Sequence, residues 1–441
     1  MLCAGFAKVE ITPPMGCIIS GYYEERRGLE KLDPLYARAV AFSDGENRAV
    51  VLYLDALGIR QELLDGMRAR MEDDLRLPRH ALFVACTHTH TGPEICDGMF
   101  EPDESYNARL EKLLEQAAQQ ALDDLKPAKM LYATGRAGGI AFIRRFRMRD
   151  GSTRTNPGYG NPDIVAPIGE ADEELRLVRI VREGGGEILL VNFQVHPDTI
   201  GDCLRGADAI SADYPGFVVR TLEGALPGTH AVYLNGAAGD LNHIDVHKPD
   251  WDPNGGYEHT AHMGRVIAGE ALRIYGKARP ISGEGVRFRQ APLAVPANKG
   301  RPEDVPLAEK YVRAHREGRD DLIPETGMGV TTLVAEATRI LALKDAPDNF
   351  ELNMTALAVG GLCLAGIPGE AFTQVGRSIK AASPYQAQLI VGIANGYEGY
   401  FPTREAFEEG GYEARSSSFR MGVAEQIAEA EIALIRAMKE A

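Results

Sequence analysis

Apolar residues recur along the chain in runs of strand length, separated by stretches with helical spacing. AKVEIT, YARAVAFSD and NRAVVLYLDAL, all within the first 60 residues, read as strands. Leu63, Leu64, Met67, Met71 and Leu75 then recur at helical spacing with charged residues between them, which predicts a helix over 61–75. ALFVAC predicts a short buried strand, and 104–125 an amphipathic helix that stops before Pro127. The alternation continues with strands at KMLYATGRA, LRLVRIVRE, EILLVNFQV and HAVYLNGA, and helices over 213–222 and 258–275. Residues 303–344 are mostly helical in pattern, and TALAVGGLCLAGI reads as a hairpin turned by its Gly-Gly pair. Residues 370–382 predict a helix, QLIVGIAN a strand and 417–439 a closing helix.

Strands alternating with helices predict an α/β fold, a mixed β-sheet core flanked by helices. No internal repeat is visible and no Ser/Pro/Gly linker divides the chain, so 1–441 is expected to be one large domain. Segment 280–350 is the ambiguous part. Its charged stretch RPEDVPLAEKYVRAHREGRDD suggests that 303–344 forms a helical lobe, or a lid on a pocket.

Charge narrows the partners. Against 48 Lys+Arg stand 63 Asp+Glu, a formal net charge of −15, which disfavours nucleic acid and docking on anionic membranes through a basic patch. No stretch approaches the ~18 apolar residues of a membrane span, and MLCAGFAKVEITPP lacks the features of a signal peptide. The 6 cysteines show no CxxC spacing. The expectation is a cytoplasmic protein with reduced thiols, no stable membrane association, a small-molecule substrate and, as a further partner, other copies of itself in a homo-oligomer.

The candidate chemistry is positional. Polar clusters begin where apolar strands end: THTH after ALFVAC, VHPD after EILLVNFQ, NGAAGDLNH after HAVYL, and NGYEGYFPT after QLIVGIA. GIPGEAFT follows the second hairpin strand in the same way. Loops beyond strand carboxyl ends are where α/β sheets bind ligands. One residue separates His88 from His90, so extended backbone would put both imidazoles on one face, about 7 Å apart. Each candidate also has a plainer account: HxH histidines sit in cores, a carboxylate such as Glu370 is favoured at a helix N-terminus without any metal, and Tyr400 serves equally as a loop anchor. Jointly, His, Glu and Tyr donors without a thiolate suit a catalytic zinc with an open position. His259 and His262, near His243, Asp245 and His247, have a metal-like spacing, but an exposed helix face explains them more simply.

At these motifs the sequence resembles the neutral ceramidases, zinc-dependent amidohydrolases. The matching pieces are VEITPPMG…GY, DPLYARA, THTHTGPE, FIRRF, NFQVHPD, SADYPG, NGAAGDLN, IPGEAFT and NGYEGYFPTREAFEEGGYE, in that order. The resemblance implies Zn2+ held by His88, His196, Glu370 and Tyr400. His90 would be the acid/base histidine, Arg144 the arginine facing the scissile group, and Tyr412 a hydroxyl over the site. It also implies a zinc-activated water as nucleophile.

Departures from the family bear on substrate. The serine that the family carries in the loop matching NGAAGDLN is Ala238, and its THTHSGPGG is THTHTGPEI, which introduces Glu94. The expected function is therefore hydrolysis of an amide or related bond in a small soluble substrate. Glu94, Asp198, Asn235 and Asp240 are the candidate substrate-binding residues. Two alternatives stay open: a sugar-like or ester substrate on the same metal site, and a catalytically inactive binding protein that retains the fold.

Overall fold

The computed structural model describes residues 1–96, 100–200, 208–248 and 255–440. Strands β1 (Cys3–Glu10), β2 (Tyr36–Ser43) and β3 (Arg48–Leu54) pair antiparallel in succession. Helix α1 (Gln61–Leu75) then carries the chain to β4 (Leu82–Cys86), which lies parallel to β3, and α2 (Glu104–Asp123) follows. The same order recurs in β5 (Lys126–Arg136), β6 (Glu174–Arg182), β7 (Glu187–Phe193), α3 (Asp213–Ala225), β8 (Thr229–Asn235) and α4 (Tyr257–Tyr275). Here too the last two strands are the parallel pair.

The order appears a third time. It begins with β9 (Val286–Pro296), is interrupted by an inserted helix pair, α5 (Val305–Arg316) and α6 (Met328–Leu343), and resumes with β10 (Asn349–Val359) and β11 (Leu362–Gly366). It closes with α7 (Thr373–Ala382), β12 (Ala387–Val391), parallel to β11, and later α8 (Val423–Glu440). The sequence shows no internal repeat, yet the topology repeats three times. Each unit needs only apolar runs and a crossover helix, and neither requirement preserves residue identity.

The first two units join through β1 and β5, where Cys3 faces Pro127 and Ala4 faces Lys126. Among the described residues this makes a nine-stranded sheet, completed by the short strand Arg279–Pro280 on β5. The third unit is a separate four-stranded sheet. Phe42, Tyr53 and Phe83 of the large sheet share one apolar cluster with Leu357, Leu364 and Leu389 of the small one, so the two sheets face each other. Helices α1 and α2 cover the large sheet's other face, while α7 and α8 cover that of the small sheet. Strands β4 and β11 are buried along their full length, which is why LFVAC and LCLAG read as unbroken apolar runs.

The expected 303–344 segment resolves into α5 and α6, a helical lobe with its own small core of Ala308, Val312, Ala337 and Ile340. α6 docks on the short helix Tyr412–Ser416, where Arg339 Nε donates to Arg415 O at 2.7 Å. The expected helix over 370–382 begins only at Thr373.

Candidate metal centre

The carboxyl ends of the parallel strand pairs of all three units meet at one place. His88 follows β4, His196 follows β7, Glu370 follows β11, and Tyr400 lies in the loop after β12. Glu370 is not at a helix N-terminus, as its sequence context suggested. It lies in a two-residue strand, Glu370–Ala371, whose parallel partner is Tyr400–Phe401, so Glu370 and Tyr400 are register neighbours. His88 is not extended either: its φ is +71°. Hydrogen bonds from Thr87 N to Leu54 O (2.8 Å) and His88 N to Ala56 O (2.9 Å) hold this left-handed turn, and backbone strain of this kind costs about 1–3 kcal/mol and gathers at functional sites. The turn brings the His88 and His90 ring centroids to 5.0 Å.

The geometry of the cluster follows from backbone carbonyls. His88 Nδ1 donates to Leu57 O at 2.9 Å, and His196 Nδ1 donates to Ala238 O at 3.1 Å. A carbonyl can only accept, so both rings carry a proton on Nδ1, and a neutral ring then presents a bare Nε2. Those two Nε2 atoms lie 3.3 Å apart. Glu370 Oε2 stands 3.1 Å from the one on His196 and 3.4 Å from the one on His88, buried and without a hydrogen-bond donor among the described residues. Tyr400 OH is 3.5 Å from His196 Nε2. Donors about 2.0–2.2 Å from a tetrahedral cation lie about 3.3–3.6 Å from one another, so this set fits one. Burial, with the Arg144 charge, lowers the His196 pKa to about 4, which keeps the ring neutral.

The surrounding residues fix this arrangement. Tyr397, which the sequence reading passed over although it lies within NGYEGYFPT, donates from its hydroxyl to Glu370 Oε1 at 2.9 Å, leaving Oε2 for the cluster. Gly239 N donates to Ala371 O at 2.9 Å, and a Cβ on Gly239 would lie 2.4 Å from Glu370 O, so only glycine permits this approach. Ala238, at the position where the resemblance places a serine, contributes its carbonyl to His196.

Arg144 Nε donates to Glu413 Oε1 at 2.7 Å and Nη2 to Gly239 O at 2.7 Å. Its guanidinium lies 5.2 Å from the Tyr400 ring centroid and 6.0 Å from that of Tyr412. Burial opposes the Arg144 charge, but Tyr400 and Glu413 beside it hold the pKa above its ordinary value. Tyr412 packs edge-on against Tyr400, and its hydroxyl is 3.5 Å from that of Tyr23. Tyr23 in turn packs against the lobe cluster of Ala314, Ile323 and Val334, which links the lobe to the site. Tyr23 is a second residue the sequence reading missed; its tyrosine-pair context, GYYEERR, was the available signal.

His90 belongs to the same group. Among the described residues, His88, His90 and His196 are the cluster of three or more metal-capable side chains whose ligand atoms lie within 4.8 Å. Yet both His90 ring nitrogens are buried without a hydrogen-bond partner among the described residues. Asp198 Oδ1 lies 3.8 Å from His90 Nδ1.

The other expected substrate contacts have different partners. Glu94 Oε1 accepts from Cys96 N (3.1 Å) and from the Cys96 thiol (3.0 Å). Asp240 Oδ1 accepts from Thr373 N (2.7 Å) and Oγ1 (2.6 Å), bracing the start of α7. Asn235 Nδ2 donates to Thr87 O at 3.4 Å and ties two strand ends together. His243 and His259 are buried rather than on an exposed face, and His243 Nδ1 lies 3.2 Å from His259 Nε2, while His262 is exposed.

Comparison with solved structures bears on the fold. The crystal structure of neutral ceramidase from Pseudomonas aeruginosa superposes with a TM-score of 0.77 at 20% identity, covering 100% of this chain and 74% of that one. The chain has the neutral ceramidase fold. A ceramidase complexed with C2 matches with a TM-score of 0.73 at 18% identity, over 100% of this chain and 75% of that one. No family model matches the sequence. At these identities the matches show the fold and carry neither substrate nor activity across.

Proposed function

We propose that the chain is a zinc-dependent hydrolase that cleaves an amide or related acyl bond in a small soluble substrate. The observation that carries this reading is the convergence of two imidazole Nε2 atoms, bare in the neutral rings, and a buried carboxylate oxygen. Their lone pairs repel one another unless a cation lies between them. Nitrogen and oxygen donors without a thiolate suit zinc in a catalytic role, and the neutral ceramidase fold supports hydrolysis as the class of reaction. His88, His196, Glu370 and Tyr400 would hold the ion. When bound, zinc supplies Lewis acidity and lowers the pKa of a water molecule to about 7.

The chain's own residues do the rest. The carbonyls of Leu57 and Ala238 fix the two histidine tautomers, and Tyr397 fixes the Glu370 carboxylate. Tyr412, with Arg144 beside Tyr400, offers positive charge and hydroxyl donors to a negative charge developing on an acyl oxygen. His90, with both nitrogens unpartnered among the described residues, is the group placed to carry a proton between nucleophile and leaving group. Ala238 rules out any step on a side-chain hydroxyl at that position, and the other parts do not depend on one.

Glycosidic cleavage needs two carboxylates flanking one bond. Glu94 and Asp240 are engaged elsewhere and Glu370 belongs to the donor cluster, so the acyl reading is preferred. A complete donor set also argues against an inactive scaffold. Purified protein assayed on matched panels of N-acyl amines, esters and glycosides tests this. Hydrolysis confined to acyl substrates, lost on chelation and restored by zinc, is the expected result. Undiminished activity after complete chelation, or activity on glycosides alone, would overturn it.

A further inference from the structure

His90 is held from two sides by residues to which the proposed reaction assigns no role. On one side, a Cβ on Gly21 would lie 2.5 Å from His90 Nδ1, so the segment 20–26 lies directly against the ring. The Tyr22 ring meets that of His90 edge-on, at 5.6 Å between centroids and 84°. Arg26 stacks over the other part of this segment, its guanidinium 3.9 Å from the Tyr22 centroid, and donates to Ser20 O (2.6 Å) and His90 O (2.7 Å). On the other side, His90 N donates to Pro197 O at 3.1 Å, which sets Asp198 beside the ring. The Tyr22 hydroxyl donates to Asp198 Oδ1 at 2.5 Å, and that same oxygen is 3.8 Å from His90 Nδ1.

We propose that Asp198, steadied by Tyr22, is a positioning residue that fixes His90 in the tautomer with its proton on Nδ1 and its lone pair on Nε2. The physical reason is local. A carboxylate facing Nδ1 attracts an N–H and repels a lone pair, and among the described residues neither ring nitrogen has a hydrogen-bond partner to compete. A separation of 3.8 Å is beyond hydrogen-bond range, and such contacts tighten when a ligand fills the site. The role parallels that of the third member in any nucleophile–base–orienter set, where the carboxylate acts through the imidazole. This reassigns Asp198 from substrate contact to His90, and it rests on the acid/base role proposed for that histidine.

Two readouts on the zinc-loaded protein test it. The first is the tautomer of His90 from ring 15N–1H correlations, assigned with His90→Gln. The wild type is expected to show Nδ1–H with a bare Nε2, and Asp198→Asn to shift that balance toward Nε2–H. A His90 pattern identical in the two proteins would overturn the proposal whatever the activity. The second is kinetic, on an acyl substrate the protein turns over. Asp198→Asn should lower kcat at least tenfold with KM within about twofold, and Asp198→Glu should recover part of the loss. A raised KM at unchanged kcat would make Asp198 a substrate contact and contradict positioning. A shifted tautomer in a protein that hydrolyses no acyl substrate would keep the orienting role of Asp198 and count against the proposed reaction instead.

Discussion

Tyr397 shows how one hydroxyl decides what a neighbouring carboxylate is available for. Its bond to Glu370 Oε1 leaves Oε2 pointing at the two bare imidazole nitrogens. Tyr397→Phe would free Glu370 to rotate and leave Oε1 buried without a donor. Removing an outer partner of this kind typically weakens metal binding 10–100-fold. Competition titration against a chelator should therefore give a zinc affinity about 10–100-fold weaker than wild type, and an unchanged affinity would show that Glu370 is oriented by something else. The gathering of His88, His90, His196, Glu370 and Tyr400 was legible in the sequence because imidazole, carboxylate and phenol groups stood at strand ends, while the choice of His88 over His90 came from the resemblance alone. The carbonyls of Leu57 and Ala238 were not, since backbone groups leave no mark on composition.

At the scale of elements, the periodic segments were the readable ones. Helix α1 matches its expected span of 61–75, β4 and β7 lie within the apolar runs that announced them, and β12 overlaps its own. What escaped was pairing that depends on distant chain. The two-residue strand Glu370–Ala371 exists because Tyr400–Phe401 lies beside it, and propensity suggested a helix there instead. Helix α8 carries a different conflict. Glu431 is fully buried on its apolar face, both carboxylate oxygens lack a partner among the described residues, and Cys363 of β11 is its titratable neighbour. Burial raises its pKa well above the ordinary 4.5. The folded state then keeps a proton that the unfolded chain releases, so this group's contribution to stability falls as pH rises above that ordinary value. Glu431→Leu should stabilise by about 1–3 kcal/mol at pH 8 and by less at pH 5. Thermal melts at the two pH values check this, and a gap that narrows with rising pH would contradict it.

Over the whole molecule, three units with one topology direct the ends of their parallel strands to a common point, and each supplies a part of the donor set. His88 comes from the first unit, His196 from the second, and Glu370 and Tyr400 from the third. Apolar periodicity gave away the class and the succession of strands and helices, but not the threefold repetition, because packing constrains polarity and leaves residue identity free. The inserted α5–α6 lobe reaches the site through Tyr23 and the Tyr412 helix. Among the described residues no helix is long and apolar enough to cross a membrane. Everything in the proposed chemistry rests on a cation between the His88, His196 and Glu370 donors. The most direct measurement is the metal content of purified wild-type protein beside His196→Ala, by elemental mass spectrometry. Close to one zinc per chain in the wild type and little in the variant is the expected result; a folded wild-type protein that takes up no zinc, or a variant that holds as much, would contradict it.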